Sequence, residues 1–289
     1  MWLWEEMRRL IHDTPPAYLV GGGVAVASTL FILHKKWRTK PRKVYPADVV
    51  ILHQIGRGPW APSMSPFPMK LETYLRMAKI PYQNEHSYEM SSKGKTPWIT
   101  YNGVDVADSQ FCIEYLNEKF SVNLNKDLSA VDRSLARAFQ KMTEENLYWC
   151  VALWRWVYDK DWTFLKLAFP LSNYIIMMIS WDVRKKADGQ GIGRHSQEDV
   201  MAIGQADLKA LSDFLGEKKF FMGDEPSEVD CAIFGMLALV YWLLPGSPLE
   251  KYMKEELPNL GEYLETMKQT FWPDWEDCIT RGGTYTPTK

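Results

Sequence analysis

The sequence predicts an α/β half followed by an all-α half, with one membrane-spanning helix ahead of both. Three observations carry this. Residues 48–119 alternate short β-branched runs with amphipathic helix patterns in the order β-α-β-β-β-α. Residues 126–169 contain neither glycine nor proline, and their apolar positions recur at spacings of three, four or seven. Residues 14–33 run for 20 positions without a charge. The boundaries read as an anchor and basic flank over 1–43, an α/β domain over 44–122, a helical domain over 123–280 and a loose tail over 281–289.

Composition narrows the function classes. At 289 residues the chain can hold two modest domains. A net charge of −2 argues against a general nucleic-acid surface. The four cysteines, Cys112, Cys150, Cys231 and Cys278, are far apart and form no C-x-x-C, so a zinc site or disulfide framework is not expected and the compartment reads as reducing.

Twenty uncharged residues are about enough to span a bilayer core as a helix. Six basic residues lie in the nine positions from Lys35 to Lys43, whereas Glu5, Glu6, Arg8, Arg9 and Asp13 nearly cancel on the other side. The positive-inside rule then places everything after residue 34 in the cytosol. A moderately apolar anchor with this flank suits the outer mitochondrial membrane or the endoplasmic reticulum, and the sequence does not choose between them.

After a proline-containing linker over 41–47, Asp48 to His53 is a continuous apolar run, as expected of a strand buried on both faces. A loop from Gly56 to Pro68 comes next. Ser65 is the expected N-cap of the next helix, Pro66 its first residue, and the helix ends near Ala78. Phe67, Leu71, Tyr74, Leu75 and Ala78 form its expected inner stripe. Ile80-Pro81-Tyr82 leads into a second strand.

Trp98 to Tyr101 reads as a strand, and Asn102-Gly103 as a two-residue hairpin turn, because both residues tolerate positive φ. Val104 to Val106 is the returning strand. Asp108-Ser109 precedes a helix in which Phe111, Tyr115 and Leu116 share a face. Pro97 stands at a strand start, where the missing N–H is tolerated. With a cis bond there, Thr96 would offer an unpaired backbone N–H and C=O. This order of elements is the thioredoxin-like arrangement.

The helical half opens with a long helix, broken at most once, whose stripe is Val131, Leu135, Ala138, Met142, Trp149, Leu153 and Trp156. Glu145 and Asn146 fall on that stripe; they are either a satisfied buried pair or part of a cleft. Tyr174 to Val183 is another helix. Arg184 to Arg194 follows, and its GxGxG has the look of a phosphate loop, but no strand precedes it and no Lys-Ser/Thr ends it, so the stretch reads as an inter-helix loop. Ser196 caps the next helix, through Leu215. Ser227 and Asp230 have capping-box spacing ahead of an apolar helix to Leu244, and Pro258 opens the last helix.

Pro97-Trp98-Ile99, the hairpin, and Asp108-Ser109 opening a helix together resemble the glutathione-binding half of glutathione transferases. The resemblance implies a glutathione transferase-like two-domain fold over residues 48–275. It implies that Thr96 and Pro97 pair with the cysteinyl backbone of glutathione, while Asp108 and Ser109 hold its γ-glutamyl end. A carboxylate suits helix N-terminal N–H groups, and Asp108 suits an ammonium. Lys95, with Lys93, is the candidate for the glycyl carboxylate. Ser65 matches the cysteine of the Cys-Pro-Phe found in omega-type members and is the candidate catalytic residue. Its hydroxyl can donate to a thiolate but cannot form a mixed disulfide. Ser63 is a second, less aligned hydroxyl.

More narrowly, Ser63-Met-Ser-Pro-Phe67, Lys70 to Met77, Gly193-Arg194 and Phe271-Trp-Pro-Asp-Trp275 resemble the failed axon connections family, a metaxin-related branch of that fold with an N-terminal membrane segment. That family implies a role in axon development. Two functions are open: a membrane-anchored protein that binds glutathione and conjugates it to a hydrophobic electrophile, or a non-enzymatic adaptor that uses the fold to bind a protein partner. Glutathione is the expected co-substrate or ligand and no metal is expected. The bilayer is met through residues 14–33, and a homodimer is among the expected assemblies.

Overall fold

The computed structural model describes residues 43–87, 89–168 and 171–289. The span expected over 14–33 lies outside the described residues. Among the described residues no single helix is long and apolar enough to cross a membrane.

Strand β1 (Val50–Gln54) is buried along its whole length. It pairs in parallel with β2 (Tyr82–His86) and antiparallel with β3 (Trp98–Tyr101), which pairs antiparallel with β4 (Val104–Ala107). The order is β2-β1-β3-β4. The β3–β4 turn is built as expected, with Asn102 at φ 46° and Gly103 at φ 80°. Asn102 also exchanges two hydrogen bonds with Asp48, tying the turn to the start of the domain. Helices α1 (Pro66–Met77) and α2 (Ser109–Phe120) pack their apolar residues with Val50, Leu52 and Ile99.

Two expected faces are corrected. Helix α1 buries Leu71, Tyr74 and Leu75, but Phe67 and Ala78 are only half-buried, while Lys70, Glu72 and Thr73 are buried as well. The cause is further neighbours: the core helix of the helical half meets α1 at Pro66 and Lys70, the Trp272 indole donates to Thr73, and Glu72 is held by Gln54, Asn84 and Arg57. In α2 the inner residues are Cys112, Ile113 and Leu116, and Phe111 is 55% exposed with the Lys93 ammonium over its ring.

The helical half comprises α3 (Ala130–Lys141), α4 (Tyr148–Leu153), α5 (Thr163–Ala168), α6 (Asn173–Gln190), α7 (Gln197–Leu215), α8 (Glu228–Leu243), α9 (Pro248–Glu256) and α10 (Pro258–Phe271). The single long helix expected at its start is interrupted by π turns at Met142–Leu147 and Trp154–Tyr158. A π turn inserts one residue and rotates the helix beyond it, so no one stripe persists. Val131 and Leu135 therefore face solvent, and Ala136, Gln140, Thr143, Glu144 and Leu147 turn inward.

Helix α8 runs through the core with 13 buried residues, which is why its apolar run needs no membrane. The Asp230 carboxylate accepts the N–H and hydroxyl of Ser227, and also the Phe221 N–H and the Tyr263 hydroxyl. Gly235 allows α8 to meet α1, since a Cβ there would lie 2.5 Å from the Pro66 carbonyl oxygen. The loop expected over 184–194 is shorter than that: α6 continues to Gln190, and residues 191–196 join it to α7 through a 3-10 turn at Ile192–Arg194.

Candidate functional site

A cavity of about 550 Å³ lies where α1, α2 and the first π turn converge. It is lined by six of the residues singled out from the sequence, Ser65, Lys95, Thr96, Pro97, Asp108 and Ser109, but not by Ser63 or Lys93. The Thr96–Pro97 bond is cis.

Ser65 occupies the N-cap position of α1 with extended backbone, yet its side chain makes no capping hydrogen bond. The hydroxyl is therefore not spent on the helix, and the N-terminus of α1, which favours anions, opens where Ser65 lines the cavity. Ser63 has turned inward. Its hydroxyl accepts the Ser65 N–H at 3.3 Å and it is 1% exposed, so it does not line the cavity.

Asp108 is the N-cap of α2. One carboxylate oxygen accepts the Gln110 N–H at 3.1 Å, and the other lies 3.6 Å from the Lys95 ammonium. Ser109 is buried at the first turn. Lys93 is engaged elsewhere, donating to the Ala107 carbonyl at 2.6 Å.

Sequence reasoning missed Lys70, Gln110 and Glu144. Lys70 donates to Gln110 Oε1 at 2.7 Å and to Glu144 Oε1 at 2.6 Å. Gln140 bridges the same two residues from one turn earlier in the chain. The signal was present in Glu144-Glu145, but the π turn shifts the inward position by one. Glu145 is exposed at the cavity rim and pairs with Lys141, and Asn146 donates to Asp207 at 2.8 Å. Burial pushes the Asp207 carboxyl up to about 6, with the Asn146 amide pulling the other way.

Phe67, Tyr148 and Trp149 give the cavity an aromatic wall. None of the four cysteines lines it. All are buried free thiols, and burial pushes Cys112 and Cys150 up to about 12 and Cys278 up to about 11. Among the described residues no three of His, Cys, Asp or Glu are placed to hold a metal ion. What remains is a site with carboxylates and ammonium groups around a free hydroxyl, suited to a zwitterion with a nucleophile held near Ser65.

The comparisons agree with this architecture. Residues 66–161 match the glutathione S-transferase N-terminal domain family, and residues 204–267 match the glutathione S-transferase C-terminal domain family. Among solved structures, a β-etherase of Sphingobium superposes with a TM-score of 0.57 over 82% of this chain and 100% of its own, at 16% identity. A rice glutathione S-transferase solved with glutathione superposes with a TM-score of 0.52 over 78% and 90%, at 18% identity. The fold is that of the glutathione S-transferases.

Three curated relatives narrow the placement. Failed axon connections of Drosophila melanogaster is 35% identical over 81% of this chain and 60% of its own length. Isoprene-epoxide–glutathione S-transferase of Rhodococcus is 32% identical over 73% and 94%. A metaxin-1 homolog of Caenorhabditis briggsae is 28% identical over 66% and 63%. The chain belongs to the failed axon connections family, a metaxin-related branch of the glutathione S-transferase-like proteins. It spans about 60% of the length of the fly relative.

Proposed function

We propose that this protein binds glutathione in the cavity at Ser65 and uses it to conjugate small hydrophobic electrophiles. The observation that carries the reading is the convergence of Ser65, Thr96-Pro97 and Asp108-Ser109, three sequence-distant segments, on one cavity with an aromatic wall. In this reading Asp108 holds the γ-glutamyl ammonium and Ser109 its carboxylate. Thr96 meets the cysteinyl backbone and Lys95 the glycyl carboxylate. Ser65 donates its hydroxyl to the thiolate. The sulfur attacks an electrophilic carbon, a C–S bond forms and the carbon–leaving-group bond breaks. In an epoxide, the class named for the Rhodococcus relative, the opened oxygen takes up a proton. Residues 14–33 anchor the chain in the outer mitochondrial membrane or endoplasmic reticulum, with the folded part in the cytosol.

Calorimetric titration with glutathione tests this. Wild type should bind at millimolar concentration or below. Asp108→Ala removes a charge-assisted hydrogen bond worth about 1.5–3 kcal/mol and should weaken binding about tenfold or more. Absence of binding sinks the enzyme reading. The second reading, a non-enzymatic adaptor, is then favoured by the exposed row Tyr174, Met177, Met178 and Trp181 on α6 and by the metaxin relatives. Substitutions in that row should then abolish partner binding.

A further inference from the structure

We infer that Arg155 is a positioning residue of the candidate site: it pins the loop that delivers Ser65 to the helical half, and its cation favours a thiolate there. The inference deepens the glutathione reading and rests on it.

Arg155 stands in the second π turn and is 7% exposed. One terminal nitrogen donates to the Met64 carbonyl at 2.7 Å and the other to the Leu243 carbonyl at 3.2 Å. The guanidinium carbon lies 5.3 Å from the Phe164 ring centroid. Met64 immediately precedes Ser65, and Leu243 is the last residue of α8. A single side chain thus bolts the end of the Gly56–Ser65 loop to the C-terminus of the core helix.

The charge is the unusual part. Buried arginines normally take a carboxylate. Arg57 takes Glu72 and Arg76 takes Asp274. Among the described residues no carboxylate pairs with Arg155, and its Nε is buried without a partner. Burial draws its pKa down to about 10, so the group stays a cation at neutral pH.

That cation acts on a cavity whose other charges come as pairs. Lys95 lies beside Asp108, Lys141 beside Glu145, Lys70 beside Glu144 and Lys186 beside Asp182. Arg155 is a buried charge near the cavity wall that no carboxylate among the described residues neutralises. Its field reaches the wall: burial pushes the Tyr148 hydroxyl up, while Arg155, with Lys186, pulls it down. Covalent geometry from the held Met64 carbonyl keeps the guanidinium carbon within about 9 Å of Ser65 Oγ. A sulfur at Ser65 then lies no more than about 12 Å from the cation, where an effective dielectric near 20 lowers a thiol pKa by about one unit or more. A purely structural role, capping the end of α8, would leave that pKa unmoved.

The test uses the full chain and glutathione as the probe. Thiolate absorbance of bound glutathione is titrated against pH for wild type, Arg155→Gln and Arg155→Lys, with hydrogen exchange of residues 57–65 measured in parallel. Arg155→Gln should keep glutathione affinity within about threefold while the bound thiol pKa rises by about one unit. Arg155→Lys should return that pKa to the wild-type value, yet speed loop exchange, because an ammonium on a shorter reach cannot hold both carbonyls. A thiol pKa unchanged in Arg155→Gln overturns the inference alone, as does Arg155→Lys behaving like Arg155→Gln. If Arg155→Gln does not fold, Arg155→Lys decides by itself, and an unchanged loop exchange or a shifted thiol pKa overturns the inference. Wild type that binds no glutathione overturns the reading of the site as well.

Discussion

Glu72 is the place to perturb first, because its environment permits the cost to be worked out in two ways. The carboxylate is fully buried in α1. It accepts two hydrogen bonds from Arg57, at 2.7 and 2.9 Å, and others from Gln54, Tyr82 and Asn84 at 2.7–3.1 Å. Burial by itself would raise its pKa, but Arg57, assisted by Arg76, outweighs that and holds the group down at about 2, against an ordinary 4.5. A depressed carboxyl pKa stabilises the fold above the ordinary value, and that stabilisation is lost as pH falls from about 4.5 to about 2. The interval corresponds to roughly 3 kcal/mol at neutral pH. Independently, Glu72→Gln keeps the volume but strands the Arg57 guanidinium, and breaking a buried pair from one side costs about 3–5 kcal/mol. Urea unfolding at pH 7 should therefore show a loss of about 3 kcal/mol or more in Glu72→Gln. Repeated toward pH 3, the gap should narrow, because the unfolded wild-type chain takes up the proton at its ordinary pKa while the folded carboxylate stays charged. A gap that stays constant with pH, or one below about 1 kcal/mol at pH 7, refutes the assignment of this charge as the source.

Gly235→Ala should cost about 1–3 kcal/mol in the same assay and disturb the start of α1. The new methyl would meet the backbone of Pro66 and Lys70, which cannot swing aside. Asp207→Asn should stabilise the protein at pH 7, by about 1 kcal/mol once its partial exposure is discounted. Its raised carboxyl pKa, about 6, means wild type loses stability as pH climbs from about 4 to about 6, and thermal melts across that range should show the difference opening. Ser65→Ala should leave stability within ~0.5 kcal/mol, because the hydroxyl caps nothing. Ser129→Ala, which dismantles a formed capping box, should cost about 1 kcal/mol. Equal melting losses in these two variants would show that Ser65 serves the helix after all.

The parts of this fold that were legible are those fixed by residues close in sequence. Asn102-Gly103 sets its own turn, Ser227 and Asp230 cap their own helix, and Pro97 marks the strand start that borders the cavity. The site residues came into view because their motifs are short and their meeting was supplied by a resemblance, not by any local pattern. Which face of a helix is buried was far less legible, because it depends on what packs there. Val131 and Leu135 fit an apolar stripe and face solvent, since two π turns downstream rotate the helix in a way no periodicity test detects. Lys70 and Glu72 carry no local sign of burial; Lys70 is covered where α8 and the first π turn meet α1, and Glu72 by β1, β2 and Arg57.

Those two charges bear on how the site is held together. Two positions apart on a helix, they project about 200° from each other. Glu72 is gripped by groups of β1, β2 and the Arg57 loop, and Lys70 by Gln110 of α2 and Glu144 of the first π turn. Apolar packing alone lets a helix slide by fractions of an ångström at little cost, whereas hydrogen bonds to buried charges weaken steeply with distance and angle. The axial position of α1, and with it the distance from Ser65 to Asp108, is therefore set by directional contacts on opposite sides of one helix. Arg155 adds a third from beyond its N-terminus. An apolar replacement of both Lys70 and Glu144 would keep the fold, because matched removal of a buried pair is nearly neutral. It would nonetheless leave α1 free to shift, so glutathione affinity would fall where stability did not.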